Sequence, residues 1–163
     1  MSEIGTLILG IDPGVSGGFA WQVLGDPRSA DASKMPDTEA DAANLLRSLI
    51  SEHRNWHAYL ERVGATPQMG VCSAFTFGKN YGLLRGLLAG FAIPFDEVTP
   101  IRWQADFGLR SAKKLGKGDT EKHRAIKAKA QQLFPALQVT NAKAAALLIC
   151  EYGARMQRMR IAV

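Results

Sequence analysis

The sequence predicts an α/β fold in which a five-stranded mixed sheet is flanked by helices. Short apolar runs predict strands, and longer segments with helical spacing predict helices. Along the chain, the predicted order is three strands, a helix, a strand, a helix, a strand and then helices. Short turns join the first three strands, which predicts an antiparallel meander, whereas the later strands are expected to be reached by crossovers. The 163 residues suit one domain over residues 1–163 with a single core.

The N-terminal part of the chain predicts four strands and one helix. Residues 6–11 are a short apolar run ended by Asp-Pro-Gly, and residues 17–23 and 29–35 follow turn signals, so each predicts a strand. Thr38 is expected to cap a helix that continues to residue 51, because apolar residues recur there at helical spacing. Residues 57–63 predict the fourth strand.

The remainder predicts one strand and four helices. Residues 71–91 combine large apolar side chains with many small ones, which predicts a mostly buried helix with Phe75 and Phe77 in the core. The other expected elements are a strand at 95–98, a helix at 101–109, a mobile basic loop at 111–118, a helix at 120–134 capped by Asp119, and a last helix at 141–160.

Charge is distributed unevenly along a chain whose net charge is +5. Residues 1–61 hold four Lys/Arg against nine Asp/Glu, and residues 62–163 hold sixteen against six. A basic half beside an acidic cluster is typical of a metal-dependent nucleic-acid enzyme, although a basic surface without a partner is the simpler alternative.

The cysteines and the apolar runs indicate the setting of the protein. Cys72 and Cys150 are the only cysteines, lack metal-ligand spacing and predict buried free thiols. No apolar run reaches the roughly 18–20 residues that span a bilayer, and the N-terminus lacks a secretory pattern. We therefore expect no membrane partner and a reducing, cytoplasmic location.

Two carboxylates at the ends of apolar strands are the candidate metal ligands. Asp12 ends the first strand and Glu61 follows Ala-Tyr-Leu in the fourth. Two such acids on neighbouring strands repel each other unless a cation lies between them, and Mg²⁺, or Mn²⁺ in its place, suits that position. The alternatives are a turn-forming Asp12 and a Glu61 that pairs with Arg62 or with a basic residue across the sheet.

Several segments resemble the RuvC-type Holliday junction resolvases of the RNase H-like superfamily. They are Leu9-Gly-Ile-Asp12-Pro-Gly14, Tyr59-Leu-Glu61-Arg-Val63, Ser73-Ala-Phe-Thr-Phe-Gly78, Val98-Thr-Pro100 with Trp103, Gln132-Leu-Phe-Pro135 and Ala146-Leu-Leu-Ile-Cys-Glu-Tyr-Gly153. The resemblance spans nearly the whole chain in order. It implies an RNase H-like fold, cleavage of four-way junctions or other branched DNA with two Mg²⁺ ions, catalytic Asp12 and Glu61, and a homodimer.

The last motif departs from that family. The family pattern places two carboxylates about one turn apart at the start of the final helix, where this chain has Asn141 or Ala142, and Ala145. Three explanations remain open: an engineered cleavage-dead variant, a natural binding protein derived from a nuclease, or a distant acid that fills the gap. Glu151 is expected to be a poor substitute because it follows Ala145 by six residues, on another helix face.

Six basic residues and one methionine are the predicted DNA contacts. Candidates that position the phosphate backbone or enter the junction are Met69, Lys79, Arg102, Arg110, Lys113, Lys114 and Lys117. The helix at 71–91 is the predicted dimer surface, with burial in the core as its alternative. The three histidines share no ligand spacing and receive no catalytic role.

The sequence therefore favours a metal-dependent, structure-selective DNA endonuclease in an inactivated form. The alternative is a non-catalytic protein that binds branched DNA. An actin-like kinase or ATPase also opens with a strand, an Asp and a Gly-rich turn, but it needs two such domains, and this chain contains no second copy of the first motif.

Overall fold

Five strands form one mixed sheet in the spatial order β3-β2-β1-β4-β5. The strands are β1 (Leu7–Asp12), β2 (Gly18–Val23), β3 (Asp26–Lys34), β4 (Trp56–Glu61) and β5 (Phe95–Val98). β1, β2 and β3 pair antiparallel, whereas β4 pairs parallel with both β1 and β5. The predicted mixed sheet with its N-terminal meander is confirmed.

A computed structural model describes residues 5–109 and 119–162 of the chain. The helices in these ranges are α1 (Glu39–Ser51), α2 (Val71–Gly90), α3 (Pro100–Asp106), α4 (Asp119–Leu133) and α5 (Asn141–Ile161). The predicted cap of α1 is confirmed, because the Thr38 side chain accepts a hydrogen bond from the Asp41 amide at 3.1 Å. None of the described helices is long and apolar enough to span a bilayer.

Alternation along the strands divides the core between the two faces of the sheet. Leu9 and Ile11 of β1 belong to a buried cluster with α1 and α2. Ile8 of β1 and Tyr59 of β4 face the other way and pack with α5, α3 and α4. Side chains at even positions of β1 and odd positions of β4 therefore face α5.

Glycines bring α5 unusually close to the sheet. A Cβ atom on Gly10 would lie 2.7 Å from the Cα of Cys150 in α5, and one on Gly18 would lie 2.7 Å from the Ala142 carbonyl oxygen. On the α5 side, a Cβ atom on Gly153 would meet the Tyr59 ring. These three contacts fix the start of α5 beside the ends of β1 and β2.

Helix α2 is far more exposed than the sequence predicts. Only Leu84 and Leu88 are buried, whereas Phe75 is 76% exposed and Cys72 is also exposed. Phe77 is only partly buried. The prediction of a mostly buried helix is wrong because only the C-terminal half of α2 contributes buried residues to the core. Apolar composition alone does not show which part of a helix packs against the sheet. The prediction for Cys150 is confirmed, since that thiol is buried.

The mobile loop predicted at 111–118 lies outside the described residues. The side chain of Asp119 is likewise not described, so its expected capping role stays a prediction.

We expect Gly10→Ala to lower the free energy of unfolding by about 1–3 kcal/mol, because the added methyl group meets backbone that has little room to move. Gly64→Ala is the matched control, since a Cβ atom there meets nothing within 4 Å. Urea denaturation of both variants measures the difference. Equal stability of the two variants would contradict the tight packing of α5.

Candidate functional site

Asp12 and Glu61 end neighbouring parallel strands on one face of the sheet. Ile11 pairs with Leu60 in the β1–β4 ladder, so residues 12 and 61 come next in register. Because Ile11 and Leu60 both face the α1 and α2 side, the two carboxylates face α5. The two acids that are far apart in sequence therefore lie in one cleft.

This cleft, which we call the carboxylate cleft, has a volume of about 450 Å³. The β1–β2 turn, α3, α4 and the first turns of α5 form its walls. Its lining residues are Asp12, Gly14, Ser16, Gly17, Glu61, Trp103, Gln104, Lys122, His123, Ile126, Asn141, Ala144 and Ala145.

Asp12 serves the turn and the cleft at once. Its Oδ1 accepts a hydrogen bond from the Gly14 amide at 3.2 Å, as expected for an Asp-Pro-Gly turn. A Cβ atom on Gly17 would lie 2.7 Å from the Asp12 carboxyl carbon, so glycine is needed beside this side chain. Burial raises the pKa of Asp12, against the lowering effects of the Gly14 amide and of His123. The turn and metal interpretations of Asp12 are therefore compatible.

Glu61 is buried, and an indole holds it in place. Its Oε1 accepts a hydrogen bond from Trp103 Nε1 at 2.9 Å, and Trp103 itself is 1% exposed. Burial raises the pKa of Glu61 to about 7, and the negative charge of Asp12 adds to this, while the Trp103 bond and Lys122 act in the opposite direction. Among the described residues Glu61 has no ion pair with Arg62, so that alternative receives no support.

The third corner of the cleft contains no acid. Asn141 and Ala145 both line it, whereas Ala142 is turned so that its carbonyl approaches Gly18. Within residues 5–109 and 119–162, no group of three or more His, Cys, Asp or Glu side chains could hold a metal ion. The donor set is therefore two carboxylates with the Asn141 amide nearby, which fits one hard cation completed by phosphate and water but offers little to a second.

Glu151 does not fill the missing corner. It accepts hydrogen bonds from Gln22 at 3.1 Å, Arg155 at 3.1 Å and Arg158 at 3.2 Å. Arg155 also contacts Asp106 at 2.8 Å, so Glu151 belongs to a network that joins α5 to β2 and α3. Its carboxylate is committed to structure, and the explanation by a distant acid loses its nearest candidate.

Sequence reasoning missed two side chains of the cleft and left another without a role. No sequence pattern marks Gln104 or His123, which shares no ligand spacing with the other histidines, yet both line the carboxylate cleft. Trp103 appeared only as part of a family-like segment. Its position after Thr-Pro, at the start of a short helix, is the only sequence signal that marks Trp103. The partner of its indole N–H group depends on how α3 folds back over β4.

The predicted DNA-contact residues are dispersed. Arg102 is exposed on α3 next to the cleft residues Trp103 and Gln104, and Met69 is partly buried in the segment before α2. Lys79 instead lies 3.4 Å from Glu39, beside a different pocket. Arg110, Lys113, Lys114 and Lys117 lie outside the described residues.

The fold matches solved structures of RuvC. A Thermus thermophilus RuvC in complex with Holliday junction substrate aligns with a TM-score of 0.61 at 13% identity, covering 94% of this chain and 96% of that chain. Another T. thermophilus RuvC structure aligns with a TM-score of 0.56 at 16% identity and the same coverage. This chain has the RuvC fold. No family model and no curated protein sequence matches it.

The RuvC-like fold confirms the RNase H-like architecture expected from the sequence. The alignment with the RuvC structure covers 94% of this chain, so the likeness extends over nearly its full length. At 13% and 16% identity the likeness establishes the fold, and the chemistry of the cleft depends on this chain's own residues.

We expect the free energy of unfolding of the metal-free protein to fall as the pH rises from about 4.5 to about 7, because Glu61 loses its proton at a higher pH in the folded state than in the unfolded state. Below about pH 4.5 Glu61 is protonated in both states, whereas towards pH 7 only the folded state retains the proton. The folded state therefore loses up to about 3 kcal/mol over this interval. Glu61→Gln should remove most of this slope and be more stable than wild type at pH 8.

Urea denaturation at several pH values in EDTA measures the slope. Glu52→Gln is the control, because Glu52 is exposed at the end of α1 and should keep the wild-type slope. An unchanged slope in Glu61→Gln would show that Glu61 is not held in its protonated form.

Proposed function

We propose that this chain is a RuvC-type protein that binds branched DNA, with the four-way junction as its target. In this proposal the carboxylate cleft contacts the phosphate backbone through one divalent cation, and cleavage is strongly reduced because both acids of the last motif are missing. The convergence of Asp12 and Glu61 on the α5 face of the sheet carries the proposal.

Cation binding is supported by the repulsion between the two carboxylates. The negative charge of Asp12 adds to the effect of burial in raising the pKa of Glu61 to about 7, which expresses the repulsion between two carboxylates that face the same cavity. A bound Mg²⁺ would polarise the scissile phosphate and lower the pKa of an attacking water. Asp12 and Glu61 would hold it, and Trp103 would fix the orientation of Glu61 through its N–H group.

Phosphate contact is supported by the basic side chains around the cleft. Lys122 and His123 line it from α4, and Arg102 is exposed on the adjacent α3. The positive charges of Lys122 and Arg102 attract the DNA backbone, and such contacts hold phosphate without reading sequence. The predicted contacts of Arg110, Lys113, Lys114 and Lys117 lie outside the described residues and stay predictions.

A non-catalytic protein for branched DNA is the second candidate, and Ala145 favours it. Ala145 occupies the cleft wall where the resemblance expects a carboxylate, and Asn141 offers only a neutral amide. One cation can position a phosphate, whereas two-metal cleavage also needs ligands for the ion that stabilises the leaving oxygen. The two candidates differ in whether an added acid restores nicking.

We expect Ala145→Asp to raise Mg²⁺- or Mn²⁺-dependent nicking of a four-way junction by at least about a hundredfold over wild type, because removal of charge-stabilising groups from an active site typically costs that much. The assay uses a radiolabelled junction and a linear duplex of equal length. Ala145→Asn is the matched control, since it adds similar volume without charge and should stay near wild type.

Asp12→Asn combined with Ala145→Asp should abolish the gain. Two double variants, Asn141→Asp with Ala145→Asp and Ala142→Asp with Ala145→Asp, cover the two possible registers of the first acid. Junction binding without nicking in all acid-restored variants would favour the non-catalytic candidate, and binding no tighter to the junction than to the duplex would refute the proposed function.

We also propose a homodimer, because paired cuts in a four-way junction need two sites related by a two-fold axis. The exposed face of α2 supports this. Helical spacing brings its exposed apolar and small residues onto the face opposite Leu84 and Leu88, namely Val71, Phe75, Gly78, Gly82, Gly86 and Ala89. Cβ atoms on the three glycines would meet nothing within 4 Å, so a second helix could approach the backbone closely.

We expect Gly82→Lys to weaken dimerisation by at least about tenfold, since it places a long charged side chain where the helices would touch. Lysine favours the helix over glycine, so the variant should remain folded. Ala40→Lys on the exposed side of α1 is the control. Sedimentation equilibrium measures both, and a dimer that is insensitive to Gly82→Lys would exclude this face.

A further inference from the structure

A second cavity opens on the face of the sheet opposite the carboxylate cleft. This cavity, which we call the lateral pocket, has a volume of about 420 Å³, within the range of about 300–1,000 Å³ of small-molecule sites. Its apolar surface comes from Val15, Met35, Ala42, Leu83 and Leu84. The remaining lining residues are Pro36, Asp37, Thr38, Glu39, Lys79 and Asn80.

One short turn separates the lateral pocket from the carboxylate cleft. Val15 lines the lateral pocket, whereas its neighbours Gly14 and Ser16 line the carboxylate cleft. The Met35 amide donates to the Gly17 carbonyl at 2.8 Å, which ties the wall of the pocket to the same turn. A DNA strand that crosses this edge of the sheet therefore passes over both openings.

Charge at the rim of the pocket is paired, so the pocket does not suit a phosphate. Lys79 lies 3.4 Å from Glu39, and Asp37 lies 2.9 Å from Lys34 just outside the pocket. The rim thus has no excess of positive charge to attract an anion. An uncharged ligand with an apolar face and a polar edge matches this lining better.

Asn80 supplies the polar edge. It is partly buried at the pocket wall, and its side-chain amide has no hydrogen-bond partner in the described parts of the chain. An amide offers a donor and an acceptor together, which is the pattern that pairs with the edge of a nucleobase. Val15, 69% exposed at the lip, offers an apolar contact to the base as it enters.

We propose that the lateral pocket receives one unpaired nucleobase from the branch point of a DNA strand whose backbone lies in the carboxylate cleft. This inference rests on the proposed function and deepens it by naming the part of the substrate that the second opening binds. Removing a base from the stack costs least where pairing is already broken, so branched DNA is favoured over duplex. Selection of the base by Asn80 would impose a sequence preference at the branch.

The probe is a four-way junction with 2-aminopurine at the branch point, bound by the chain with Asp12 and Glu61 unchanged, whose cleavage is already strongly reduced in the proposed function. Binding should raise its fluorescence, because the base leaves its stacked neighbours for an aliphatic pocket. Leu83→Trp fills the pocket and should suppress the signal and weaken junction binding by about tenfold, as loss of a base contact does. Asn80→Leu, with less change in volume, should reduce discrimination among the four bases at that position.

Thr76→Leu is the matched control, since Thr76 is exposed one turn before Asn80 on α2 and does not line the pocket. A junction with an abasic site at the branch should bind wild type and Leu83→Trp equally. If the junction binds but fluorescence and base preference are the same in wild type, Leu83→Trp and Asn80→Leu, the pocket inference fails while the proposed function stands. Absence of preferential junction binding in wild type would overturn both.

Discussion

The close approach of α5 to β1 determines the rest of the site. Gly10 allows the helix backbone at Ala146 and Cys150 to lie directly on the strand, and Gly18 does the same for the first turn of α5. Because β1 and β4 are parallel neighbours, this contact brings residues 141–145 to the edge where Asp12 and Glu61 end. A side chain at Gly10 would displace the helix and open the cleft at the corner where the third ligand is expected.

Much of this arrangement follows from the sequence. The N-terminal meander and the convergence of residues 12 and 61 are predictable, because short turns join the first three strands and a crossover helix separates two apolar runs that each end in an acid. The exposure of α2 is not predictable in the same way, since an apolar face that packs on the sheet and one that awaits a partner have the same composition. The positions of His123 and Trp103 depend on how α3 and α4 fold back over the sheet, which no local pattern specifies.

Helix α5 borders two groups of charged side chains that have separate roles, the Glu151 network and the carboxylate cleft. Glu151 lies in a network with Gln22, Arg155 and Arg158, where its charge is balanced and joins α5 to β2. One and a half turns earlier, Ala145 faces a cleft with two acids whose pKa values are both raised. The Glu151 network joins α5 to the sheet through paired charges. In the carboxylate cleft, the repulsion between Asp12 and Glu61 is reduced when a proton or a cation is bound.

That contrast bears on why the third acid is missing. A protein without use for a cation would gain stability by replacing Glu61 with a neutral residue, because a buried carboxyl with a pKa near 7 opposes folding at neutral and higher pH. Yet the costly features remain: Glu61 with its Trp103 partner, Asp12 with its turn, and the glycines at 10, 17 and 18. These features would suit a cation, and the lack of acids is confined to the third corner of the cleft, beside Asn141 and Ala145. This contrast favours our proposal of an inactivated nuclease over that of a protein long specialised for binding alone.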